Sequence, residues 1–208
     1  LADVAEVILV CVKPFSVAGA LKQLQLQQKK RRQIVISIAT GVRIKTIQRV
    51  LGKNARIARA MPNLSAVVGK SATAVAFGKT IDSADKRKVL RILGSFGKTV
   101  VLKENHLDAV TALSGTGPAH YYYFALCLIR AARNAGLGKV EAEKLAVQTL
   151  IGSAALLEKL SDVSEEHLEK LIEAIKTPGG TTEAILEEYE KSRLVQTMKK
   201  AMLAGTRR

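Results

Sequence analysis

The 208-residue chain carries 33 Lys and Arg against 18 Asp and Glu, a formal net charge of +15, and is 48% hydrophobic with few aromatics. That length holds one or two domains with a real core, and the composition fits an ordinary α/β or α-rich protein. The only cysteines, Cys11 and Cys127, lie in apolar runs without a CxxC or Cys/His neighbour, so metal binding and a structural disulfide have no support, and a reduced, cytosolic setting fits.

No apolar run reaches the ~20 residues a membrane span needs, and there is no basic-plus-apolar secretory leader. The basic excess is compatible with nucleic acid, an anionic cofactor or a solvated surface. Its densest run, Lys29-Lys30-Arg31-Arg32, falls where a loop is expected. It lacks aromatic interleaving and any nucleic-acid motif, and reads first as a solvated loop.

The first half of the chain alternates. It opens at Leu1, not Met, and enters a strand almost at once, as if its natural N-terminus were missing. Val7–Val12 is a continuous β-branched run, the pattern of a buried strand. Ser16–Gln28 has helical spacing through Val17, Leu21 and Leu24. Ile34–Ile38 is a second buried strand, and Ile44–Leu51 a short helix stopped by Gly52. Arg56–Met61 is a third strand, ended by Pro62, and Ala72–Phe77 a fourth. Asp82 caps a helix running to about Phe96, and Thr99–Leu102 is a last short strand. Such alternation predicts an α/β fold: a mainly parallel sheet covered by helices.

After Leu102 only helical patterns follow: Glu104–Leu113, Pro118–Ala135, Val140–Leu160, Glu165–Ile175, Thr182–Lys191 and Ser192–Leu203. Tyr121–Ala132 is apolar almost all round, as in a helix buried on most sides, often against a partner subunit. The expected division is therefore an α/β domain over 1–102 and an all-helical domain over 103–208.

Five segments carry candidate chemistry. Val12-Lys13-Pro14 ends the first strand, and in an open α/β sheet ligands bind outside the carboxyl ends of strands. Lys13 there either faces a phosphate or ribose or is simply solvated. Ser37-Ile38-Ala39-Thr40-Gly41 ends the second strand in small residues, and Ala60-Met61-Pro62-Asn63 the third; Asn63 suits a ligand amide or an Asx turn. Leu113-Ser114-Gly115-Thr116-Gly117-Pro118-Ala119 separates two helices. Finally, in Lys176-Thr177-Pro178-Gly179-Gly180-Thr181-Thr182-Glu183, Pro178 ends one helix and Thr181 and Thr182 stand where the next wants its N-cap. A helix N-terminus beside hydroxyls suits a small carboxylate; a plain helix–helix turn is the bland alternative.

In this order, with Asp108-Ala109-Val110-Thr111-Ala112-Leu113 leading into the fourth of these stretches, the segments give the chain a resemblance to the Δ1-pyrroline-5-carboxylate reductases, from about Ala2 to Thr206. The resemblance implies a partial Rossmann-type domain followed by a helical domain interlocked with a second subunit. It implies reduction of 1-pyrroline-5-carboxylate to L-proline with NADPH or NADH. Cofactor contacts would come from Cys11, Val12, Lys13 and Pro14 and from Ile38, Ala39 and Thr40. The substrate carboxylate would sit at Thr177, Gly179, Gly180, Thr181 and Thr182, with Thr182 on the ring nitrogen as the catalytic contact and Glu165, or Glu166 beside it, completing the pocket. No metal is implied.

The chain departs from the family pattern in places. A G-x-G-x-x-G turn is absent from the 208 residues, Thr177 replaces a serine, Asn63-Leu64-Ser65 replaces Asn-Thr-Pro, and His120 replaces a frequent tyrosine. The absent turn motivates a second reading, a non-catalytic member or fragment acting as an oligomerisation module. A basic nucleic-acid binder ranks last, because the basic residues are scattered.

Overall fold

The computed structural model describes residues 4–27 and 33–207. The basic run at 29–32 lies outside the described residues. Five strands form one sheet in the order β1 (Val7–Val10), β2 (Ile34–Ser37), β3 (Arg56–Met61), β4 (Ser71–Phe77) and β5 (Gly97–Val101). β1–β2, β2–β3 and β4–β5 are parallel, with Val10 beside Ser37 and Ser37 beside Arg59. β3 and β4 are antiparallel, with Met61 beside Ala74.

Connector length explains the one reversal. A parallel return needs a crossover of about a dozen residues or more. Between Met61 and Ser71 there is only a short 3-10 turn over Leu64–Val68, started by the Asn63 side chain and ended by Gly69 at φ 69°. The chain can only double back.

Alternate residues of the strands feed two apolar layers, as the period of two requires. Val10, Val35 and Ile57 pack with α1 (Val17–Gln27) and α2 (Ile44–Leu51) on one face. Ile34, Ile36, Ala58 and Val75 pack with α3 (Ser83–Gly94) on the other. α3 starts as its sequence predicts, with the Asp82 carboxylate accepting the Asp85 N–H at 2.8 Å. α2 has no cap of its own: its first N–H, from Ile44, donates at 2.6 Å to Glu104, sixty residues on.

The expected sequence break at 102/103 coincides with the end of β5, and the compact unit built on the sheet continues to Pro118 and takes in 202–208. Beyond β5 come a 3-10 turn at Glu104–His106, α4 (Leu107–Val110) and a π-helical turn at Thr111–Gly115. Arg59, only 3% exposed on β3, ties them to the sheet through Glu104 at 3.6 Å and Asp108 at 3.5 Å.

The second compact unit, 119–201, is helical. It contains most of α5 (Gly117–Asn134), then α6 (Lys139–Lys159), α7 (Glu165–Ile175), α8 (Thr181–Lys191) and most of α9 (Leu194–Thr206). Ala142 is the one buried residue in it. Tyr121, Tyr122 and Tyr123 are each at least 60% exposed. Between α5 and α6 lies an apolar groove of about 510 Å³, lined by Phe124, Leu128 and Leu145 among others. No helix of the described residues is long and apolar enough to cross a membrane.

Candidate functional site

Because β1, β2 and β3 run parallel, their carboxyl ends share one edge of the sheet. The predicted cofactor residues lie along it. Cys11, Val12, Lys13 and Pro14 follow β1, all exposed; Ile38 is half-buried, Ala39 buried and Thr40 exposed after β2. Desolvation raises the Cys11 thiol above its ordinary value, so at neutral pH it stands there as a neutral group. Gly41 closes the turn after β2 at φ 76°, a region glycine adopts at little cost.

At the end of β3 Asn63 forms the Asx turn that is one of its two readings. Its side chain accepts the Ser65 N–H at 3.1 Å, while its own N–H donates to Ser71 Oγ at 3.1 Å. It is a turn cap. The Ser114–Gly117 stretch also reaches this edge: the Ser114 hydroxyl donates to the Ala72 carbonyl at 3.3 Å, and the Met61 methyl packs against Gly115. An edge of small residues, one lysine and an exposed hydroxyl fits an anionic dinucleotide.

The Pro-Gly-Gly-Thr-Thr turn belongs to the second unit. The Gly180 N–H donates to the Thr177 carbonyl at 2.8 Å, and Gly179 has φ 70°. With Pro178 before it, this is the pattern of a type II turn. A β-carbon on Gly180 would strike the Thr177 hydroxyl and crowd its carbonyl oxygen at 2.9 Å, which favours glycine there.

One expectation needs correction here. The N-cap of α8 is Gly180, not Thr181 or Thr182, and no side chain caps it. The hydrogen bond from Gly180 back to Thr177 tightens the turn and starts the helix earlier, so the threonines occupy its first two positions. Their hydroxyls make no hydrogen bond among the described residues, and their N–H groups point out of the first turn unpaired. Glu165 begins α7, whereas Thr177 follows the end of that helix, so eleven residues, about 16 Å of axial rise, separate it from the turn within one chain.

The carboxylate that does reach the turn is Glu183, unnoticed in the sequence. It accepts the Gly179 N–H at 2.6 Å. The readable signal was its position, three residues after the cap, where a capping-box acid reaches back. Nearby, Lys176 is held above its ordinary value chiefly by its hydrogen bond to Glu173, at 2.8 Å.

Parallel strands whose carboxyl ends share one edge, followed by helices whose apolar faces are unburied in one chain, make an α/β unit with a helical unit suited to association. Residues 104–208 match the family described as pyrroline-5-carboxylate reductase dimerisation. Pyrroline-5-carboxylate reductase 2 of Bacillus subtilis is 35% identical over 93% of this chain and 67% of its own length. The Synechocystis pyrroline-5-carboxylate reductase is 37% identical over 100% of this chain and 75% of its own. Among relatives of this kind the chain spans 61 to 75% of their length.

Solved structures show the same fold. The Coxiella burnetii pyrroline-5-carboxylate reductase matches with a TM-score of 0.90 at 31% identity, over 98% of this chain and 74% of that one. The Plasmodium falciparum pyrroline carboxylate reductase, solved with NADP bound, matches at 0.88 and 30%, over 100% and 77%. The chain belongs to the pyrroline-5-carboxylate reductase family.

Proposed function

We propose that this protein reduces 1-pyrroline-5-carboxylate to L-proline with a nicotinamide dinucleotide, as a cytoplasmic homodimer or larger homo-oligomer. The observation that carries the substrate assignment is the Thr177–Thr182 turn: a glycine-built bend opening a helix with unpaired N–H groups and two hydroxyls. The fold and the family carry the rest. NADPH and NADH both fit the strand ends, and no nucleic acid or metal enters this reading.

Reduced nicotinamide, when bound, would supply a hydride to the imine carbon, and with a proton taken from solvent by the ring nitrogen the C=N bond becomes a secondary amine. The chain itself binds and orients. Residues 1–102 hold the dinucleotide through Cys11, Val12, Lys13, Pro14, Ile38, Ala39 and Thr40. Residues 103–208 hold the substrate. Its carboxylate meets the N–H groups of Thr181 and Thr182 at the positive end of α8, and binding at the Gly179 N–H requires Glu183 to give way. Thr182 directs its hydroxyl at the ring nitrogen, fixing the imine carbon for hydride attack; positioning of this kind is a large share of catalysis. Glu165 serves this pocket from a second copy of the chain, since its own turn is a helix length away.

The test is isotopic. With the full-length gene product and dinucleotide deuterated at the transferable nicotinamide position, mass spectrometry should find deuterium on C5 of proline. Proline without the label, or no proline, contradicts the assignment.

A further inference from the structure

Met61 packs against the core below the sheet edge, and it also makes two contacts beyond that packing. It ends β3 half-buried, and its sulfur accepts the Thr40 hydroxyl at 3.8 Å, from the end of β2. Its methyl lies against Gly115, closer than a β-carbon at that position would allow. Gly115 itself ends a π-helical turn, a form that is rare and concentrated at functional sites. That turn is anchored to β4 by the Ser114 hydroxyl. One flexible thioether therefore spans the gap between the turn and the second strand end.

We propose that Met61 is a positioning residue, holding Thr40 in its dinucleotide-binding place by bearing on the Ser114–Gly117 turn, and that position 115 is glycine to admit it. The inference rests on the reading of the strand ends as the dinucleotide site. Gly115 is not among the glycines with positive φ, so glycine is not there for backbone freedom. What an alanine would meet is the tip of a methionine, which can swing aside without breaking the fold. The swing carries the sulfur away from Thr40.

The experiment is a double-mutant cycle on Gly115→Ala and Met61→Ala in the full-length gene product. It is read by calorimetric dinucleotide affinity, by thermal melting, and by the Met61 methyl signal after ¹³C-methionine labelling. With three methionines in these 208 residues, the Met61→Ala spectrum identifies that signal. Gly115→Ala should move the methyl resonance, leave melting close to wild type and weaken dinucleotide binding on the order of tenfold, mid-range for side chains in direct contact. In the Met61→Ala background the same change should add nothing.

Equal weakening by Gly115→Ala in both backgrounds overturns the proposal, as does an unmoved methyl signal. A wild-type protein that binds no dinucleotide fails the functional reading first, and this role with it. Wild-type binding with an additive cycle fails this role alone.

Discussion

Thr182 and Asp82 show how one side chain's work depends on what its neighbours already satisfy. With Gly180 as the cap of α8, Thr182→Ala removes a hydroxyl that no described residue uses. The expected stability change is within about 0.5 kcal/mol, that of an unengaged surface position. If the hydroxyl meets the ring nitrogen during hydride transfer, kcat should fall with little change in KM, and Thr182→Ser should recover most of it. A Thr182→Ala enzyme with wild-type kcat removes the threonine from the chemistry.

Asp82 has the opposite role. Its carboxylate is held below its ordinary value mainly by the Asp85 N–H, opposed by desolvation and helped by the Ala84 N–H and by Arg56 and Arg87. A folded-state value below the unfolded one means a contribution fully present above the unfolded carboxylate range and lost as pH falls through the folded value. The melting temperatures of wild type and Asp82→Ala should differ at neutral pH and converge in acid. A gap that stays constant into acid rules this out.

At the scale of elements, much of the fold was legible. β2 is an apolar β-branched run, and α3 announces itself with an aspartate cap. The antiparallel turn of β4 was not, because burial pattern records which face a residue takes and not which way a strand runs; direction came from the connector after Pro62. Nor was the Arg59, Glu104 and Asp108 cluster, which joins residues distant in sequence. The candidate site was legible as segments: the strand ends do share an edge, and the glycine turn does open a helix. The cap position and Glu183's contact depend on hydrogen bonds that spacing leaves open.

Glu104→Ala leaves the α2 N-terminus uncapped and should lower stability by about 1 kcal/mol or more, because Arg59 also loses a carboxylate. Glu104→Gln keeps an acceptor for the Ile44 N–H and should lose less. Denaturant melts of the two variants check the order, and equal losses contradict the capping role.

For the whole molecule, the decisive feature is how little of 119–201 is buried. A helical unit with Ala142 alone buried leaves most of its apolar surface exposed in one chain, and exposed apolar surface of this extent marks an interface. Leu145, on the α5–α6 groove and 58% exposed in one chain, separates association from folding. Leu145→Glu changes a side chain that is exposed in the single chain, and if the groove is the interface it places a charge there, where desolvation is costly. Light scattering should show a multimer for wild type and a smaller species for the variant. A monomeric wild type contradicts the account of this unit.

Steady-state kinetics on the full-length gene product measure the reaction itself. Nicotinamide absorbance should fall on adding 1-pyrroline-5-carboxylate to enzyme with NADPH or NADH, at a rate proportional to enzyme and saturating in substrate. Absence of any substrate-dependent oxidation with either dinucleotide, from protein that is folded and multimeric, contradicts the account.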